Sequence, residues 1–239
     1  SQELIMKKKV AVISGGTNGI GKRMVLMFLK SGVKVVTFSR KKSNINQLKR
    51  ELMDFKDDLI CYQGDVSSIK DVNKISGSIK KQFKSINYLV NNSGTNVLSP
   101  IGKIKIKDWQ RIIDVNLTGV FYLTQSLLPL LKKKSVVLNM GSLASRSGFP
   151  NWSAYCASKF GLKGFTESLR EELRPKEVRV VHAEIGATDT GIWDNLEGKW
   201  DRGSMMKDLE VAHILFDSIT KVKSVNIDEI FLMPPNGVL

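Results

Sequence analysis

Tyr155 and Lys159, four positions apart in the stretch Asn-Trp-Ser-Ala-Tyr-Cys-Ala-Ser-Lys, are the pair in this chain best suited to acid/base chemistry. On a helix that spacing sets a phenol and an ammonium on one face. A free tyrosine ionises near pH ~10 and is a poor proton donor or acceptor at neutrality, but a fixed cation beside it favours the phenolate and lowers that value. Lys159 is therefore expected to make Tyr155 a usable acid/base. In a lysine-rich chain the same pair is also what a solvated helix face looks like, so the surrounding elements decide between the two.

The chain has 239 residues with 42% hydrophobic content, enough core for one α/β domain spanning 1–239. No apolar run approaches ~20 residues and the start is a short polar lead into a strand. The expectation is a cytoplasmic protein with no membrane span and no secretory signal. Cys61 and Cys156 have neither CxxC spacing nor a histidine cluster nearby, so both read as reduced thiols and no metal is expected. His182 in an apolar strand and His213 on a late helix suit packing and surface roles. The net charge of +14 raises the question of an anionic partner. The lysines are dispersed, and the runs at 7–9 and 132–134 precede strands without aromatic interleaving. No nucleic-acid partner is expected.

The elements that must position the pair begin with an apolar run at 10–13, followed directly by Ser14-Gly15-Gly16-Thr17-Asn18-Gly19-Ile20-Gly21. After it Ile20, Met24, Val25, Phe28 and Leu29 recur with helical period until Gly32. Strand, glycine loop and helix make a phosphate-binding arrangement: glycines allow close backbone approach, and the helix start offers free N–H groups and a positive dipole end. Residues 16–22 nearly fit the mononucleotide pattern GxxxxGK. Arg23 stands where that pattern needs a hydroxyl for magnesium, which argues against an NTPase. The dinucleotide pattern GxGxxG does not fit strictly either, the spacing from Gly15 being GxxxGxG.

With Tyr155 and Lys159 downstream, this loop resembles the short-chain dehydrogenase/reductase family, which opens TGxxxGxG and carries YxxxK. Ser14 replaces the family threonine, and either hydroxyl can bond the backbone of a tight turn. The resemblance covers nearly the whole chain and implies a Rossmann-like, doubly wound parallel sheet of about seven strands with helices on both faces. Alternating strand and helix patterns lead to the same α/β class. Strands are expected at 33–39, 59–63, 88–91, 136–140, 178–185 and 229–233, with helices at 43–56, 68–84, 108–131 and 207–223.

In the resembled family the loop residues Gly15, Thr17, Asn18, Gly19, Ile20 and Gly21 would hold the dinucleotide. The second strand ends in Ser39, Arg40, Lys41 and Lys42, where an acidic residue would bond a ribose 2′-hydroxyl and a basic one accommodates a 2′-phosphate. Arg40 beside Ser39 therefore favours NADP(H) over NAD(H) through a forked contact. Asp65, with Val66, would contact adenine by resemblance; by its residue type alone it would start a turn. Asn91-Asn92-Ser93-Gly94 resembles the family NNAG with Ser for Ala, Asn92 bordering the ribose and Gly94 leaving room.

Asn116 lies mid-helix, where a buried amide is either a structural bond-maker or part of a polar relay, and the resemblance implies the relay. Ser142 precedes Tyr155 by thirteen positions as in the family, which implies that its hydroxyl bonds the substrate oxygen; alone, a serine after a strand caps a turn. Where the family has PGxxxT this chain has Ile185, Gly186, Ala187, Thr188, Asp189 and Thr190, and loss of the proline loosens the nicotinamide cradle. Residues 190–206, carrying Trp193, Trp200 and paired methionines, suit a substrate lid or a short surface helix packed on the body. The Pro234-Pro235-Asn236-Gly237 ending resembles a subgroup often made of NADP-dependent carbonyl reductases.

The activity implied is reduction of a carbonyl to an alcohol, or the reverse, with Asn116, Ser142, Tyr155 and Lys159 as the catalytic set. Leu143, Phe149, Trp152 and Trp193 suggest a small apolar or aromatic substrate. Family members often pair through the helices around Asn116 and Tyr155, so a homodimer or homotetramer is expected. The rival from another class is a dinucleotide sensor or scaffold without turnover.

Overall fold

The computed structural model describes residues 8–196, 198–222 and 224–237, so Lys7 and Lys223, the ends of an expected lysine run and an expected helix, lie outside the described residues. Strand and helix alternate through β1 (Val10–Ser14), α1 (Gly19–Lys30), β2 (Lys34–Ser39), α2 (Lys42–Glu51), β3 (Leu59–Gln63), α3 (Ile69–Gln82) and β4 (Ile86–Asn91). There follow α4 (Ile106–Ile113), α5 (Gly119–Leu127), β5 (Leu131–Met140), α6 (Ser153–Leu173) and β6 (Arg179–Ile185). The short strands β7 (Thr188–Asp189) and β8 (Met206–Lys207), then α7 (Asp208–Thr220) and β9 (Glu229–Leu232), complete the order.

Seven strands form one parallel sheet in the order β3-β2-β1-β4-β5-β6-β9. Period-2 alternation along each strand divides its side chains between the two faces. Ala11, Ile13, Val35, Val90, Leu138 and Val181 pack with α1 and α7, while Val12, Val36, Leu89, Val137 and Val180 pack with residues of α3, α5 and α6. A strand covered on both sides must be apolar on both, which is why these strands read as continuous Val, Ile and Leu runs. The strand order reverses between β1 and β4, and such a reversal opens a crevice beyond the carboxyl ends of the strands.

Three expected elements differ, the first being the helix foreseen over 43–56, which stops at Glu51 before a 3₁₀ turn, Met53–Phe55. The long helix foreseen over 108–131 is α4 and α5 joined by a π-helical turn, Asp114–Thr118, and it ends in a 3₁₀ turn, Leu128–Leu130. Pro129 has no N–H to continue the α ladder, which explains the early stop. β5 consequently starts at Leu131 instead of Val136, with Lys132, Lys133 and Lys134 solvated along its entry. A buried polar chain then ties sheet to helices. The Asn91 amide donates to Asn139 Oδ1 (2.7 Å) and Thr124 Oγ1 (3.1 Å), and the Asn139 amide donates to Thr166 Oγ1 (2.9 Å). These bonds fix α5 and α6 against β4 and β5, and α6 carries Tyr155 and Lys159.

Candidate functional site

The crevice has a volume of about 1010 Å³ and runs from Arg40 and Lys41 past the glycine loop to Ser142, Tyr155 and Trp193. Its floor is the β1–α1 turn, where Gly15 (φ 66°) and Gly19 (φ 50°) hold the left-handed backbone that glycine tolerates. A Cβ at Gly21 would collide with the Asn92 amide and sit 2.7 Å from the Gly15 carbonyl, so helix and loop meet only without a side chain there. The Ser14 hydroxyl accepts from the N–H groups of Asn92 and Ser93, both at 3.0 Å. It braces the turn as foreseen, but against β4 and not within its own loop. Asn92 returns the tie through its amide, donating to the Ser14 (3.2 Å) and Gly15 (3.0 Å) carbonyls.

Asn18 precedes the first turn of α1 without capping it, so the N–H groups at that helix start face the crevice beside Gly19 and Ile20. An uncapped 12-residue helix under a glycine turn suits a pyrophosphate, and the residues present fit a dinucleotide. Lys22, which a mononucleotide loop would aim at phosphate, is instead ion-paired with Glu51. Ser39, Arg40, Lys41 and Asn44 line one end of the crevice. Beside them Asp65 behaves as turn-former and ion-pair partner together. It accepts from the Ser67 N–H (2.9 Å) and hydroxyl (2.7 Å), and pairs with Arg111 at 2.9 Å. Burial works against its charge, yet Ser67 and Arg111 outweigh it and hold the carboxyl below its usual range. Val66, Ser93 and Gly94 line the same wall.

At the other end, α6 presents Tyr155 and Lys159 into the crevice as the four-residue spacing requires. The expected depression of the Tyr155 pKa is not found. Burial pushes the phenol up to about 12, with a hydrogen bond to Ser142 pulling the other way. The Lys159 ammonium donates to the Met140 carbonyl at 2.7 Å and lies 5.5 Å from the tyrosine ring centroid. Desolvation therefore prevails at the phenol, and it also brings Lys159 down to about 8.

Ser142 caps a 3₁₀ turn, Leu143–Ser145, accepting from the Ala144 N–H at 3.2 Å, which leaves its own proton free to donate. Asn116 is fully buried in the π-helical turn. Its amide bonds the Thr95 backbone twice (2.8 and 2.9 Å) and donates to Ser158 Oγ at 3.0 Å. Its side chain thus makes structural bonds that join the loop after β4 to α6.

The turn after β6 holds without the family proline. Gly186 N–H donates to the Leu232 carbonyl at 2.8 Å, and the Thr188 hydroxyl donates to the Gly186 carbonyl at 3.1 Å. Thr190 lies over Gly19, where an added Cβ would approach it to 3.2 Å. Beyond it the described residues of 190–206 form two 3₁₀ turns, and β7 pairs with β8 to close the base of the segment. Ring centroids run Tyr155–Trp152 (5.4 Å), Trp152–Trp193 (6.2 Å) and Trp193–Trp200 (4.8 Å), an aromatic wall with Phe149 beside Trp152.

Sequence reasoning missed the partners that hold these residues in place. Arg111 lies far from Asp65 in sequence; Arg202 clasps Asp189 (2.6 Å), Asp194 (2.9 Å) and the Thr190 carbonyl (3.0 Å). Asn91 and Asn139 sit inside apolar strands, and a lone polar residue in such a run was the one available signal. His182 is fully buried with both ring nitrogens unpartnered, and burial pushes it down to about 4, in keeping with a packing role. His213 is exposed on α7.

Residues 9–200 match the family model described as short chain dehydrogenase, and the chain belongs to that family. It is an oxidoreductase of the short-chain type, working between hydroxyl and carbonyl groups with a nicotinamide dinucleotide. Among curated proteins it is 32% identical over 192 residues to a 3alpha-hydroxysteroid dehydrogenase of Mediterraneibacter gnavus, covering 78% of this chain and 76% of that one. It is 31% identical over 194 residues to a 3-oxoacyl-[acyl-carrier-protein] reductase of Synechocystis sp., covering 80% and 78%. An alcohol dehydrogenase from the archaeon Thermococcus sibiricus, solved with 5-hydroxy-NADP, has the same fold with a TM-score of 0.87 at 23% identity, covering 96% of this chain and 97% of that one. Among the described residues no helix is long and apolar enough to cross a membrane.

Proposed function

We propose that the chain reduces a carbonyl of a small apolar or aromatic substrate to an alcohol, or runs the reverse, with NADP(H) preferred, as one domain with residues 190–206 as substrate lid. The observation that carries this reading is one crevice lined together by Ser142, Tyr155 and Lys159 at the foot of a tryptophan wall. The nicotinamide, when bound, supplies or takes the hydride. Tyr155 gives its proton to the carbonyl oxygen, and the Ser142 hydroxyl donates to the same oxygen as negative charge develops there. A phenol held up to about 12 stays protonated at neutrality, so it starts the reductive step loaded.

Lys159, brought down to about 8, can hold or release a proton near neutrality and so replenish Tyr155; turned from Met140 toward the phenol it would also oppose desolvation there. Asn116 keeps α6 in place for that transfer. Gly15, Thr17, Asn18, Gly19, Ile20 and Gly21 would cradle the pyrophosphate, and Asp65, Val66, Asn92, Ser93 and Gly94 would border the adenosine. Gly186, Thr188 and Thr190 would hold the nicotinamide end. Arg40, with Ser39, would take the 2′-phosphate, no carboxylate standing at that strand end to repel it. The two relatives named for a steroid and an acyl chain support an apolar substrate body. A homodimer or homotetramer in the cytoplasm completes the proposal.

The test is a panel of NADPH with 4-nitrobenzaldehyde, acetophenone, a 3-oxo steroid and a 3-oxoacyl thioester, run beside Tyr155→Phe. Turnover that falls by roughly a thousandfold in the variant, with NADPH binding kept, is the expected result. Unchanged turnover in Tyr155→Phe would end this reading.

A further inference from the structure

Glu184, near the end of β6, has a carboxylate with 0% exposure, and a buried charge persists only where partners compensate it. Its two cations come from two different elements. Arg146, which ion-pairs with it, follows the 3₁₀ turn that Ser142 caps. Lys163, whose Nζ donates to Glu184 Oε1 at 2.9 Å, stands one turn beyond Lys159 on the same face of α6. Glu229 of β9 approaches the same cations, at 4.0 Å from Arg146 and 3.6 Å from Lys163. The Arg146 guanidinium also lies over the Phe231 ring, 4.3 Å from its centroid. One carboxylate thus joins the turn holding the serine to the helix holding the tyrosine and lysine, without itself lining the crevice.

We propose that Glu184 is a positioning residue for the reaction, its carboxylate fixing the Ser142 turn against α6 so that the serine hydroxyl stays in reach of Tyr155. The proposal rests on the catalytic reading given above. Ser142 and Tyr155 sit on separate elements, and the capping box within residues 142–145 fixes the turn's shape but not its distance from α6. Ala144 packed on Tyr155 and Cys156, and the Lys159 bond to the Met140 carbonyl, bring the two together; the ion pair adds the charged tie that holds the end of the turn. Arg146→Gln acts through Ser142 and should leave NADPH contacts untouched.

The full chain is tested with NADPH and the fastest carbonyl of the panel. Glu184→Gln keeps the shape and removes the charge; Arg146→Gln alters a partner whose side chain is 40% exposed and leaves Lys163 on the buried carboxylate, and circular dichroism checks that each variant is folded. Each is expected to lower kcat by roughly ten- to a hundredfold, with KM and the NADPH dissociation constant, read by tryptophan fluorescence, within about twofold. In a Ser142→Ala background, Arg146→Gln should change kcat by less than about twofold. A crystal structure of Arg146→Gln should show the turn that Ser142 caps displaced from α6. Wild-type kcat in folded Arg146→Gln, a loss that persists undiminished after Ser142→Ala, or an undisplaced Ser142 turn each overturns the proposal. Turnover surviving Tyr155→Phe would overturn the catalytic reading and this proposal with it. Loss of turnover in Tyr155→Phe beside wild-type kcat in Arg146→Gln overturns this proposal alone.

Discussion

Lys159 is buried and brought down to about 8 from an ordinary 10.5, so the folded chain is penalised whenever that ammonium is charged. Below pH 8 the penalty is complete; between 8 and 10.5 the unfolded chain binds the extra proton, and stability rises with pH until the penalty is gone. The gross cost at pH 7 is about 3 kcal/mol from the shift, and the hydrogen bond to Met140 returns about 1 kcal/mol. Lys159→Met should therefore be more stable than wild type by about 2 kcal/mol at pH 7, with the gain shrinking by pH 10. Urea denaturation at the two pH values checks this, and a variant less stable at pH 7 would count against a buried charge. Tyr155 does not enter at pH 7, because both its ordinary value of 10 and its raised value of about 12 lie well above. The reaction thus retains a residue that the fold alone would replace.

At the scale of elements, the segment from β7 to β8 is held over the crevice largely by Arg202, whose guanidinium reaches Asp189, Asp194 and the Thr190 carbonyl. Arg202→Ala should unfasten this clasp and raise KM for the carbonyl substrate about threefold to tenfold, with the NADPH dissociation constant little changed, because the pairs are partly solvated. Faster proteolytic cutting within 191–206 would accompany it, and an unaltered KM would mean that the segment only packs. The clasp was not legible in the sequence, since Asp189 and Arg202 meet through a loop whose path no periodicity records. Two-residue strands such as β7 and β8 likewise carry no alternation to read. Apolar runs and helical spacing, by contrast, located the strands of the large sheet to within two residues at each end, apart from the lysine-bearing entry of β5. The π-helical turn at Asn116 escaped because it keeps helical spacing while inserting one residue. For the site, residues adjacent in sequence to glycine turns or strand ends were readable. The ties that space them, Glu184 to Arg146 and Lys163 above all, join distant segments and needed coordinates.

For the whole molecule, a net charge of +14 surrounds a crevice whose outer end is lined by Arg40 and Lys41. A field of one sign speeds capture of an anionic ligand, and salt screens it over about 10 Å at 0.1 M. NADPH, with its added 2′-phosphate, carries more negative charge than NADH and should feel both the field and the local contact. Its association rate, measured by stopped-flow tryptophan quenching, is expected to fall roughly tenfold between low salt and 0.5 M salt, and that of NADH by less. Arg40→Ala removes one charge of the 37 Lys and Arg side chains, so the field and the salt slope should barely change. Its dissociation constant for NADPH should nevertheless rise about tenfold, through faster release, while that for NADH stays put. Equal losses for both cofactors would show that Arg40 serves the general field and not the 2′-phosphate, and the NADP preference would then have to come from another part of the crevice.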